Sequence, residues 1–224
     1  MASPLVSDTV DRLARAIGPD PDAILDDMAA YADREEFPIV GPELGGWLAV
    51  LARVTDAQRA LEFGSGFGYS AYWIARELPA DGEVILTEID ADELAQAREY
   101  FERSGLDDRA RFQHGDALEL VHAIDGPLDL VLLDHGMERY VEAFEAVRAK
   151  VPTGGVIAAD NAVEAGEYID PEALAALVDG EDRPTASEDT RGTAAYLRHV
   201  RDDPDFASGL VPLGEGLAVS FRTD

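Results

Sequence analysis

The sequence predicts a doubly wound α/β fold, a mostly parallel sheet with helices on both faces, and three observations predict it. Apolar runs of strand length alternate with segments of helical spacing from about residue 58 onward. One strand runs straight into a glycine-rich turn that opens a helix, Ala60-Leu61-Glu62-Phe63-Gly64-Ser65-Gly66-Phe67-Gly68-Tyr69-Ser70. Two late strand-like segments flank Gly214-Glu215-Gly216, the mark of a closing β-hairpin antiparallel to the rest. The expectation is a single domain over 1–224, with residues 1–57 a helical lid and 58–224 an α/β core holding a seven-stranded sheet.

Each element has its own signal. Leu5, Val6, Val10, Leu13 and Ile17 give residues 4–17 helical spacing, and Ile24, Leu25, Met28 and Tyr31 do so for 21–33; Gly18-Pro19 separates the two. The stretch from Arg34 to Pro42 is a bend into a third helix, about 42–54. The helix opened by the glycine turn continues through Tyr72-Trp73-Ile74-Ala75. A strand at 83–88 leads to a helix near 91–104, where Asp90 and Glu93 have capping-box spacing. A weaker strand follows at 110–114, then a buried strand at 128–133, a helix over about 137–150 and a strand at 156–159. A helical stretch over 187–203 precedes hairpin strands near 209–213 and 217–222.

With 224 residues and 46% apolar content, the chain can bury one substantial core. It shows neither an apolar run of about 18 residues nor a basic-then-apolar leader, so a soluble, cytoplasmic protein without a membrane partner is expected. With no cysteine, disulfides, thiolate metal sites and cysteine nucleophiles are excluded. The net charge is −28, and its 46 acids are spread over helix faces rather than collected in a tail. Such repulsion is screened in molar salt, where the Debye length is about 3 Å. The composition therefore reads as halophilic, and charge becomes a poor guide to partners: nucleic acid is disfavoured, but a tRNA acceptor stays open.

In wound sheets of this kind, ligands bind beyond the carboxyl ends of the strands. The glycines at 64, 66 and 68 depart from the dinucleotide pattern G-x-G-x-x-G, whose third slot holds Tyr69, and no P-loop Lys-Ser/Thr follows. Glu62, just ahead of the turn, suits a cationic group such as the amino end of S-adenosylmethionine (SAM) better than a pyrophosphate. Glu88, ending the second strand, lies about 20 residues past the turn, where an acid can accept ribose hydroxyls. Gly115-Asp116-Ala117 can meet an adenine edge, and Asp116 equally reads as a helix N-cap. Asp134-His135 and Asp160-Asn161 end the next two strands. Oxygens from Asp134, Asp160 and Asn161 suit a hard cation such as Mg²⁺, although a lone aspartate at a strand end is often a turn or cap.

Taken together, Asp129-Leu130-Val131-Leu132-Leu133-Asp134-His135 with Glu138-Arg139-Tyr140, Ala159-Asp160-Asn161, the glycine turn and the segment from Gly209 to Leu217 resemble the cation-dependent O-methyltransferases, catechol and caffeoyl-CoA enzymes among them. The resemblance implies a Rossmann-like SAM-dependent enzyme that methylates a hydroxyl of a small, catechol-like acceptor bound to a divalent cation. It places Glu62, Gly64, Tyr69 and Ser70 around the methionine portion, with Val40 reaching in from the bend, and Glu88 at the ribose. It places Asp116 and Ala117 along the adenine with His135 near it, and makes Ser65, Gly66, Ile89 and Asp134 further cofactor contacts. Asp134, Asp160 and Asn161 become the metal ligands. The family's basic lysine, three residues after the first metal aspartate, is Met137 here, so the catalytic expectation rests on position 137 and on His135 as a substitute base. A SAM-binding protein without turnover is the rival that Met137 raises; an NAD-dependent oxidoreductase is disfavoured by Tyr69. A homodimer is compatible with all of these. If the acidity is a salt adaptation, the thermal midpoint should climb between about 0.1 M and 2 M KCl as screening takes hold; a flat or falling midpoint contradicts it.

Overall fold

A computed structural model describes residues 8–166 and 168–224. Leu5 and Val6, assigned above to the first helix, lie outside the described residues. Among these, the helical spacing yields α1 (Asp8–Ile17), α2 (Ala23–Glu35) and α3 (Pro42–Val54). Asp22 caps α2 by accepting the amides of Ile24 and Leu25, and Pro42 opens α3, where its missing N–H costs nothing.

The core then alternates as β1 (Arg59–Phe63), α4 (Tyr69–Ala75), β2 (Glu83–Glu88), α5 (Ala91–Ser104), β3 (Ala110–His114), α6 (Ala117–Leu120), β4 (Leu130–Leu133), α7 (Tyr140–Val147), β5 (Val156–Ala159), α8 (Pro171–Val178), α9 (Glu188–Asp202), β6 (Phe206–Val211) and β7 (Leu217–Arg222). The seven described strands form one sheet in the order β3-β2-β1-β4-β5-β7-β6, parallel from β3 to β5. β7 runs antiparallel to both β5 and β6, so β6 points the same way as β5. The wound sheet and its closing hairpin agree with the expectation.

Central strands are buried on both faces and therefore read as unbroken apolar runs. Leu130, Leu132, Val156 and Ala158 pack with Leu48, Met28 and Trp73 beneath α2 to α5; Val131, Leu133, Ile157 and Ala159 pack with Tyr140, Phe144 and Tyr196 beneath α6, α7 and α9. Glu62 shares the first of these faces with Ala60, because side chains on a strand alternate.

Four local readings are corrected. The late strand spans Phe206–Val211 rather than 209–213, since Pro212 has no N–H for the ladder. The strand expected at 128–133 is shortened to Leu130–Leu133; ahead of it, Asp129 clamps the start of β1, its Oδ2 accepting the amides of Gln58 and Arg59, both at 2.9 Å. The helix expected over 137–150 is broken into a 3₁₀ turn at Met137–Arg139, α7, and a second 3₁₀ turn at Arg148–Lys150. Finally, α8 was not anticipated, although Asp170-Pro171 is a cap followed by a first-turn proline.

The first 3₁₀ turn is held where α9 passes over it without a side chain. A methyl group on Gly192 would lie 2.5 Å from Glu138 Cα and 2.6 Å from the Met137 carbonyl oxygen, both backbone atoms that cannot swing aside. Gly192→Ala should therefore destabilise the chain by about 1–3 kcal/mol, the usual range for overpacking. A urea midpoint equal to that of the unaltered chain would show that the turn can yield.

Candidate active site

The glycine turn brings three strand ends together. Gly64 has φ 77°, and a Cβ there would strike the Asp134 carbonyl, so glycine lets β1 and β4 close up at their tips. The amides of Gly64 and Ser65 both donate to the Thr87 carbonyl at 3.0 Å. The Glu88 carboxylate accepts from the Gly66 amide at 2.8 Å and from the Asp90 amide at 2.9 Å, which fixes its orientation.

These ends surround a cavity of about 300 Å³. Gly64, Thr87, Glu88 and Ile89 form one wall, Gly115 to Ala117 the second, and Asp134, His135, Gly136, Glu138 and Arg139 the third. The His135 ring stands between Phe63 and Tyr140, each centroid 5.4 Å away. Burial, helped by Arg139, pushes its pKa down to about 4, so the ring is neutral at pH 7; neither nitrogen has a protein partner. Asp116 caps α6 through the Leu118 amide at 2.9 Å and pairs with Arg139 at 2.7 Å, which holds its carboxyl below the usual range. Both readings of Asp116 thus meet: it caps a helix and lines the cavity.

Beside the cavity, acids gather. Glu62 is fully buried; its Oε1 accepts the Ser70 hydroxyl, and its Oε2 has no partner. Burial drives its pKa up to about 8 against the opposing Ser70 bond, with Glu88 adding to the rise. Leu133 pairs with Ala159 in the sheet register, so Asp134 and Asp160 emerge side by side. Asp160 is 3% exposed and its Oδ1 is unpartnered. Burial raises both carboxyls, and each is pushed further by neighbouring acids, Glu62 and Glu215 acting on Asp134, and Asp134 and Glu215 on Asp160. Asn161 adopts φ 55° and its amide donates to Glu215. The backbone carbonyl of Glu215 in turn accepts the amides of Val163 and Glu164, so the hairpin turn holds the loop after β5.

The expected residues divide into three groups. Gly64, Glu88, Ile89, Asp116, Ala117, Asp134 and His135 line the cavity, and Asp160 and Asn161 flank it. Glu62, Ser65 and Ser70 lie buried beneath the turn, and Gly66 is covered by the Phe37 ring. Val40 and Tyr69 sit in the apolar layer under α3 and α4, outside the cavity wall. Met137 packs with Leu197 between two apolar clusters, filling a slot. Lys150 donates to the carbonyls of Val121 and Ile124, at 2.7 and 2.6 Å, and serves structure. Arg139 and Glu215 were not assigned to the site from sequence, though an antiparallel last strand must bring its preceding turn to the carboxyl end of β5. Elsewhere, Glu145, His199 and Asp203 cluster, but the Arg148 guanidinium pairs with both acids and supplies their positive charge.

Residues 22–223 match the family model described as O-methyltransferase. The chain belongs to that family. A catechol O-methyltransferase from Niastella koreensis is 32% identical over 182 residues, covering 78% of this chain and 82% of the relative. A putative O-methyltransferase structure from Klebsiella pneumoniae superposes with a TM-score of 0.81 at 27% identity, covering 96% of this chain and 97% of that one. The O-methyltransferase TomG from Streptomyces achromogenes, in complex with SAM, shares the fold over the full length of both chains, with a TM-score of 0.83 at 23% identity. In the described part of this family member, no helix is long and apolar enough to cross a membrane.

Raised carboxyl pKa values carry a signed consequence. The folded chain holds protons on Glu62, Asp134 and Asp160 that the unfolded chain has released, so the stability these three groups contribute is fully present below the ordinary carboxylate range and is lost as pH rises toward 8. Without ligand, the thermal midpoint should drop between about pH 5 and pH 8.5, and Glu62→Gln should flatten that decline. An equal slope in both chains would place Glu62 outside the linkage.

Proposed function

We propose that the chain takes SAM as methyl donor and passes the methyl group to a hydroxyl of a small aromatic, catechol-like acceptor, assisted by a divalent cation, Mg²⁺ foremost. One observation carries the reading: Glu62, Asp134, Asp160 and Glu215 converge beside the cavity, and the charged groups that act on Asp134 and Asp160 are all carboxylates. Two of the acids keep an unpartnered buried oxygen, on Glu62 and Asp160. Such a crevice calls for positive charge, since a buried ion without a partner is strongly disfavoured.

The residues fit both cations. Oxygens of Asp134, Asp160 and Asn161 match the preference of Mg²⁺ for hard ligands, and Glu62 matches the ammonium of the methionine moiety. Glu88, already oriented by two amides, keeps acceptor capacity for a pair of ribose hydroxyls. Ile89, Ala117 and the neutral His135 offer the flat, weakly polar surroundings that a purine needs.

Methyl transfer from a sulfonium is a displacement in line, so the protein's share is alignment. Gly64 lets the donor approach the strand tips, and Glu62 fixes its amino end. The divalent ion, when bound, supplies acidity to the acceptor hydroxyl. Met137 can take no proton, and His135, held at a pKa of about 4, is a weak base. Absence of a dedicated base costs about 10²–10⁴-fold in rate, a loss that a bound ion would offset in part by lowering the pKa of the acceptor hydroxyl. Asp160→Ala should abolish divalent-dependent methylation of a catechol while calorimetric SAM affinity survives; full activity of the unaltered chain in EDTA overturns the cation.

A further inference from the structure

We propose that Phe37 is the aromatic face against which the donor's sulfonium lies, and that it tells the charged donor from its neutral product; the inference rests on the donor reading above. The end of α2 sets Phe37 in place. Glu36 closes that helix in the left-handed region, with φ 52°, an uncommon state for a residue that carries a side chain. The Phe37 amide then donates back to the Ala32 carbonyl at 2.9 Å. Pro38 follows, and a residue before proline is held extended. The ring is thereby carried off the helix and onto the glycine turn. A Cβ on Gly66 would lie 2.9 Å from Phe37 Cζ and 3.1 Å from Cε1, so the ring rests directly on backbone that glycine leaves bare. Phe67 braces it in a T-shaped contact at 5.1 Å, and Tyr31 supports Phe67 in the same manner at 4.9 Å. Phe37 nevertheless stays half-buried, braced on two sides and open on the rest.

Position gives the ring its task. Glu88, bonded to the Gly66 amide, marks the ribose end of the donor. Glu62 and Ser70, bonded to each other, mark its amino end. The sulfonium joins those two parts of the molecule, so it must cross the turn between Glu88 and Glu62, and Phe37 covers the turn there at Gly66. An aromatic face attracts a cation through its quadrupole, and it neither takes a proton nor binds a hard metal ion. A leucine would fill the same gap without that preference. When the methyl group passes to the acceptor oxygen, the C–S bonding pair stays on sulfur and the sulfonium becomes a neutral thioether. The attraction to Phe37 is lost in the same step, which favours release of product over donor.

Calorimetry on the full chain tests this with three ligands: SAM, its neutral product S-adenosylhomocysteine, and sinefungin, in which a protonated amine replaces the sulfonium methyl. Phe37→Leu should weaken SAM and sinefungin by about threefold to thirtyfold more than S-adenosylhomocysteine, the span that a cation–π contact covers. Phe37→Tyr keeps the ring and should preserve the parent's ratio of affinities. Phe37→Met, close in volume but ringless, decides if Phe37→Leu misfolds by circular dichroism. Equal losses for all three ligands would reduce Phe37 to packing, overturning the proposal while the donor reading stands. A parent chain that binds neither SAM nor S-adenosylhomocysteine overturns the donor reading, and the role of Phe37 falls with it.

Discussion

Four acidic side chains forced together at the tips of parallel strands are the constraint from which the rest of the site follows. Glu62 is the next-to-last residue of β1, Asp134 and Asp160 extend β4 and β5, and Glu215 is delivered by the last turn. In an ordinary core such a group would be replaced by apolar residues, because desolvated charges of one sign destabilise the fold. Here the parallel register leaves no freedom: once Leu133 is beside Ala159, the next residues must be neighbours. The free protein relieves the repulsion by keeping protons. Under the proposed function, a sulfonium amino acid and a metal ion would relieve it further, and ligand binding and fold stability would then draw on one store of unfavourable electrostatics.

The glycine turn and the hairpin then act as opposite jaws. Gly64 brings the backbone of β1 against β4, and Gly66 takes a left-handed conformation under the Phe37 ring. On the far side, Gly214 packs against Leu44 of α3, with Glu43 close by, so the N-terminal layer touches the turn that carries Glu215. Arg15, reaching from α1 to Glu43, ties α1 to the same layer by an ion pair.

Much of this was legible before any coordinates, and for a physical reason. Strand ends are easy to read because a buried parallel strand is an apolar run that stops abruptly, and topology places every stop on one edge of the sheet. Reading the chain that way places Glu62, Glu88, Asp134, Asp160 and Asn161 at one edge of the sheet, and the structure has them there. Harder to read were residues whose roles depend on distant partners. Arg139 reaches back to Asp116, and Lys150 settles on the carbonyls of Val121 and Ile124, pairings that no local spacing encodes. Tyr69 and Val40 carried the right spacing but fell into the apolar layer, where packing outweighs proximity to the turn. The break between the 3₁₀ turn and α7 was invisible locally, since the backbone that packs against the turn, at Gly192, lies on another helix.

The strand order has a consequence for biosynthesis. β7 follows the other six described strands in sequence yet is inserted between β5 and β6, not added at a margin. Until residue 222 has left the ribosome, β5 stands unpaired on one side and Glu215 has no fixed place. The glycine turn and the cavity walls are therefore encoded ahead of β7, while the acidic crevice beside them closes only once β7 is in place.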